Sequence, residues 1–102
     1  MARPALPPDL VSVLADLRDP AEIAALVEDL LTPAEVANIA ERWELVKLLA
    51  GGMSQRAVAA ALGAGVATVS RGARILKYGV GGFSSAFDRL SSLGYDDPRG
   101  PT

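Results

Sequence analysis

The chain contains no cysteine and no histidine. Without thiolates there is no disulfide framework, and without either residue type the usual transition-metal ligands are missing. The same absences exclude Ser-His and Cys-His nucleophilic pairs, so neither a catalytic residue nor a metal ligand is expected. Aromatics are scarce, at one Trp, two Tyr and two Phe, which leaves Ala, Val, Leu and Ile to build the core. No apolar run approaches membrane-spanning length. The start, MARPALPPDL, has one Arg but no apolar h-region. These features point to a cytoplasmic protein with no membrane partner. Strand-like alternation and internal repeats are absent too, and the expectation is an all-α fold.

At 102 residues there is room for a single domain, 1–102. A thin aliphatic core in a chain this small is often completed by oligomerisation. The net charge of −2 hides a split distribution. Residues 1–44 carry three Arg against nine Asp/Glu, whereas residues 45–90 carry six Lys/Arg against Asp88 alone. Such a split presents a basic half to something anionic, or else gives two solvated faces that pair with each other.

The organising stretch is Met53 to Lys77, two short helices pivoting on a glycine. Ser54 caps the first, and Val58, Ala61 and Leu62 recur at helical spacing. Gly63 stops that helix. The second resumes near Gly65 or Val66, with Val66, Val69 and Leu76 facing inward. Small Ala59, the turn glycine and branched Val69 stand where a helix-turn-helix needs them. An ordinary helical hairpin shares this pattern. The polar start Ser54-Gln55-Arg56, and Thr68, Ser70, Arg71 and Arg74 on the second helix, favour nucleic acid.

Upstream, residues 1–8 are proline-rich and read as disordered or extended. A short amphipathic helix covers Asp9 to Arg18, with Leu6 as a possible extension. Asp19 caps a second helix that has Pro20 at its first position and Ile23, Leu26, Val27 and Leu30 along it. Thr32-Pro33-Ala34-Glu35 forms a capping box for a helix reaching about Ala50. The stripe on that helix is too wide for one partner, so residues 9–50 are expected to dimerise. After the break at Tyr78–Gly82, a last helix spans Phe83 to Leu93, and the tail DDPRGPT is expected to be loose.

The run Leu30 to Lys77 resembles the core of the bacterial Trp repressor. Its dense parts are Leu31-Thr32-Pro33, Met53-Ser54-Gln55-Arg56 and Leu62 to Gly72 (LGAGVATVSRG). Ser70-Arg71 followed by Leu76-Lys77-Tyr78-Gly79 is similar instead to the Trp-repressor-like YerC/YecD-type branch of the superfamily. The resemblance implies a six-helix, intertwined homodimer bound to two-fold symmetric double-stranded operator DNA, with L-tryptophan as corepressor. It implies that Gly65 to Arg74, including Val66, enters the major groove. Gln55, Arg56, Arg74 and Lys77 then contact phosphates, and Ala67, Thr68, Ser70 and Arg71 approach base edges. Water bridges and DNA shape carry much of the readout.

The corepressor positions of the family fall on Thr32, Arg42, Val46, Thr68, Arg71 and Gly72. Arg42 and Arg71 would sandwich an indole, with Arg71 and Thr32 on the carboxylate. Gly72 would leave space, at a cost of about 1 kcal/mol in a helix interior. For Arg42 the alternative is a surface ion pair with Glu41 or another acid. The chain departs from the family at Ile75, where a serine receives the ligand's amino group, at Asp29 near the pocket mouth and at Ala59, which replaces a lysine. The linker before Met53 is one residue shorter. A ligand-independent regulator and a helical protein-interaction module are the rival readings. An enzyme has the least support.

Overall fold

The structure, a computed structural model, describes residues 5–100. Six α-helices follow one another, and no strand occurs among the described residues. The chain divides into two compact units, Met1–Ala37 and Asn38–Thr102.

The first unit holds α1 (Pro8–Asp16), α2 (Pro20–Leu30) and the opening turn of α3 (Pro33–Ala50). Residues 1–4 of the expected extended start lie outside the described residues, and Leu6 stays outside α1. The first helix ends two residues before the expected Arg18. Leu17 already has extended backbone, and its N–H closes on the Val13 carbonyl. The physical reason is the Asp19-Pro20 start: a residue before proline is pushed out of the helical region, and Asp19 is extended (φ −81°, ψ 119°). Its Oδ1 accepts from Ala21 N at 3.0 Å, as the N-cap reading requires. The capping box on α3 is closed in both directions. Thr32 N donates to Glu35 Oε1 at 2.8 Å, and Glu35 N donates to Thr32 Oγ1 at 3.2 Å. Neither α1 nor α2 has a buried residue.

The second unit comprises the rest of α3, α4 (Gln55–Leu62), α5 (Val66–Tyr78) and α6 (Gly82–Leu90), which passes into a 3-10 turn at Ser91–Leu93. Its core is small and drawn from all four helices. Leu45 and Val46 come from α3, Val58 from α4, Val69 from α5 and Phe87 from α6, none more than 1% exposed. Each such side chain contributes about 1.5–3 kcal/mol by leaving water. Trp43, Phe83 and Phe87 cluster beside it, with ring centroids 5.5–6.1 Å apart. Few aromatics therefore suffice, because three of the five meet at one place.

Two expectations are corrected here. Val66, read as inward-facing, is 67% exposed. The buried stripe of α5 begins at Val69 and includes Gly72, so the first turn of the helix projects beyond the core. The tail is not loose through residue 100. Arg99 Nη2 lies 2.8 Å from both Asp88 Oδ1 and Asp97 Oδ2, and its guanidinium lies over the Phe87 ring at 5.9 Å. Pro98 O rests against Gly51, where a Cβ would sit only 2.8 Å away. Pro101 and Thr102 lie outside the described residues.

Candidate nucleic-acid interface

The two helices of the Met53–Lys77 stretch are built as their sequence requires. Ser54 Oγ accepts from Ala57 N at 3.1 Å and starts α4. Gly63 ends it in the left-handed region (φ 63°), which an L side chain resists. Its N–H returns to the Ala59 carbonyl. After a short turn α5 begins at Val66, with Gly65 as N-cap and no side chain bonded to its free N–H groups. Val58 and Val69, both fully buried, clamp α5 against α4.

With that face fixed, the remaining side chains project outward. Gln55, Arg56, Gly65, Val66, Ala67, Arg71, Arg74 and Lys77 are exposed, and Thr68 and Ser70 are half-buried. Ser70 Oγ donates to Gln55 Oε1 at 2.9 Å and ties the start of α4 to the second turn of α5. Lys77 Nζ lies 5.3 Å from the centroid of the Tyr78 ring. Among the described residues no carboxylate lies within 4.0 Å of Arg42, Arg56, Arg71, Arg74 or Lys77. Within the basic half Lys47 is paired, with Glu44 at 2.9 Å, whereas Arg56, Arg71, Arg74 and Lys77 have no acidic partner among the described residues. The same observation removes the ion pair with Glu41 as an account of Arg42.

Three of the expected ligand positions share a recess. Arg42, Thr68 and Arg71 line one recess of about 160 Å³ between α3 and α5, together with Asn38 and Glu41. Val46 is 0% exposed and belongs to the core. Gly72 is buried against Leu45: a Cβ built on it would lie 3.1–3.3 Å from the Leu45 side chain. The space expected at Gly72 is occupied by the Leu45 side chain, which would have to give by a few tenths of an ångström to admit a Cβ. Thr32 belongs to the first unit, where its hydroxyl is engaged in the capping box.

Asn38 and Glu41 were not singled out as site residues. The signal was their spacing, since 38, 41 and 42 share one face of a helix. A second recess, of about 330 Å³ and almost wholly apolar, is lined by Ile39, Arg42, Trp43, Ile75 and Phe83. Arg42 borders both. No group of three or more metal-ligating side chains occurs among the described residues. No helix among them is long and apolar enough to cross a membrane.

Two helices crossed on buried valines, a left-handed glycine between them and an unpaired cationic outer face define a helix-turn-helix DNA-binding domain. The Trp repressor protein family matches residues 8–91, and the chain belongs to that family. It is a Trp-repressor-like DNA-binding regulator, from a family that is regulatory rather than enzymatic. No curated protein and no solved structure matches the chain.

Proposed function

We propose that the protein is a homodimeric transcriptional repressor that lays the N-terminal half of α5 in the major groove of a two-fold symmetric operator. One observation carries this reading: Arg56, Arg71, Arg74 and Lys77 are exposed without an acidic partner among the described residues. Unpaired cations on one helical hairpin favour a polyanion, since each phosphate they neutralise releases counterions. Arg56, Arg74, Lys77 and the free amide N–H₂ of Gln55 take phosphates. Val66, Ala67, Thr68 and Arg71 approach base edges, and the exposed Val66 and Ala67 offer apolar contact to thymine methyl groups. Dimerisation is supported by the first unit, which buries nothing in α1 or α2 and leaves Leu6, Val11, Val13 and Leu30 about half exposed or more.

The corepressor reading places L-tryptophan with its indole between the Arg42 and Arg71 guanidinium planes and its carboxylate on Arg71. Both arginines line one recess, and a ligand bridging α3 and α5 fixes the angle of the reading helix. It shifts that equilibrium only by its differential affinity for the two arrangements. A ligand-independent regulator, as in the YerC/YecD-type branch, is the second reading. It is favoured by Leu45 filling the space at Gly72 and by Ile75, which offers no side-chain acceptor to an amino group.

Selection of binding sites from a random duplex pool, with and without L-tryptophan, tests both readings. Enrichment of two-fold symmetric sites that bind tighter with tryptophan is the expected result. Symmetric sites indifferent to tryptophan would favour the second reading. No retained duplex would leave a protein-interaction module.

A further inference from the structure

The α4–α5 pair is joined to α3 only through the linker Gly51 to Ser54. α3 closes with Gly52 N–H on Leu49 O at 3.0 Å and Met53 N–H on Leu48 O at 3.2 Å. Gly52 between them is left-handed, at φ 97°. Ser54 then caps α4 at once, so the direction of α4 is set by the backbone angles of this short linker. The tail returns to the same point. It leaves the 3-10 turn after α6 with Gly94 at φ 91° and Tyr95 N–H on Leu90 O at 2.9 Å. Pro98 O then stands 2.8 Å from where a Cβ on Gly51 would be. Gly51 has no positive φ, and the Leu48 and Lys47 carbonyls lie at ordinary contact distances of 3.5 and 3.6 Å from that Cβ. The tail is therefore what a side chain at Gly51 would strike.

Arg99 holds the tail in this place. Its guanidinium joins Asp88 on α6 to Asp97 in the tail, each at 2.8 Å. Its Nε and its backbone N–H both donate to Asp97 Oδ1 at 2.9 Å. The whole return, residues 94–100, lies beyond the residues 8–91 that match the family. We infer that residues 94–100 form a strap that sets the angle of the α4–α5 pair on α3, with Arg99 as its positioning residue. This rests on the DNA-binding reading above and adds a device that lies outside the DNA-facing surface. A linker held by the strap is already ordered when the duplex arrives. A released linker has to be ordered on the duplex, and fixing the backbone of one residue weakens binding by about fivefold or more.

Full-length wild type, Arg99→Ala, Gly51→Ala and the double variant are compared on a selected duplex over a range of salt. The temperature is one at which circular dichroism shows each protein folded, and amide exchange at Met53 is followed in the free proteins. Arg99→Ala is expected to bind about fivefold or more weaker, with an unchanged salt slope and faster exchange at Met53. Gly51→Ala, which drives a Cβ against Pro98 O, should weaken binding when Arg99 is present and add little once it is gone. Equal or tighter binding by Arg99→Ala, or unchanged exchange at Met53, would overturn the strap and leave the DNA-binding reading standing. So would a salt slope shallower by about 0.9 per subunit, since Arg99 would then be a phosphate contact. Additive losses from the two substitutions would overturn the link between the tail and Gly51. A wild type that retains no duplex would overturn both readings.

Discussion

Ser70 Oγ donates a 2.9 Å hydrogen bond to Gln55 Oε1, fifteen residues earlier in the chain. This bond engages the Gln55 amide oxygen, which leaves its N–H₂ group for the proposed phosphate contact, and commits the Ser70 hydroxyl proton within the protein. On the proposed docking, Ser70 acts on DNA largely by positioning Gln55. Ser70→Ala and Gln55→Ala are each expected to weaken duplex binding, and the double variant to be scarcely weaker than either single. A double-mutant cycle on DNA affinity should return a coupling of about 0.5–1.5 kcal/mol. Additive losses would show that the two side chains act independently.

At Gly72 the limiting contact is with Leu45, 3.1–3.3 Å from a built Cβ. Gly72→Ala sets a helix-propensity gain of about 1 kcal/mol against a small displacement of Leu45, and should be close to neutral. Gly72→Val is expected to destabilise by about 1–3 kcal/mol through overpacking. Pairing it with Leu45→Ala, which alone costs about 2–5 kcal/mol, should give less than the sum. Urea midpoints of the wild type and the four variants measure these differences.

The proposed dimer rests on the first unit, where Val11, Val13 and Leu30 are 47–54% exposed and α1 and α2 contain no buried residue. Sedimentation equilibrium should give twice the chain mass at micromolar concentration. Charged substitutions such as Val13→Asp should shift the protein toward monomer and lower its melting temperature. A stable wild-type monomer would contradict the dimer.

Much of this fold is legible in the sequence wherever local chemistry alone decides. Asp19, Thr32-Glu35, Ser54 and Gly63 each specify a helix end by their own hydrogen bonds or backbone region, and the structure has those ends. What depends on distant packing was not legible. Val66 fits the inward spacing of α5, but the core ends at Val69. Periodicity reports which face a residue shares and says nothing of where the facing helix stops. Gly72 carries the same lesson, since a glycine that admits Leu45 and one that admits a ligand read identically. The tail is held by a partner that local sequence does not announce, since Arg99 finds Asp88 eleven residues away. In the candidate site, Arg42, Thr68 and Arg71 were found from the family resemblance, whereas Asn38 and Glu41 joined them only once α3 and α5 were packed.

The Arg99 clasp has a pH signature. The side-chain hydrogen bond from Arg99, followed by its backbone N–H, holds the Asp97 carboxyl down from 3.8 to about 2. A carboxylate depressed in the folded state stabilises above its unfolded value and loses that contribution as pH falls through the folded one. Wild type should therefore exceed Arg99→Ala in urea midpoint by a constant margin above about pH 4. That margin should shrink between about pH 4 and pH 2. A margin independent of pH across this window would mean that the clasp works through the Phe87 contact rather than through charge.

The most direct measurement is the salt dependence of binding to a selected duplex, for wild type and Arg56→Ala. Arg56 is exposed and has no acidic partner among the described residues, so its substitution should leave the fold intact. Affinity should fall on every sequence tested, and the slope of log K against log salt should become shallower by about 0.9 for each lost phosphate contact, one per subunit. Unchanged affinity with an unchanged slope would contradict DNA docking through α4 and α5.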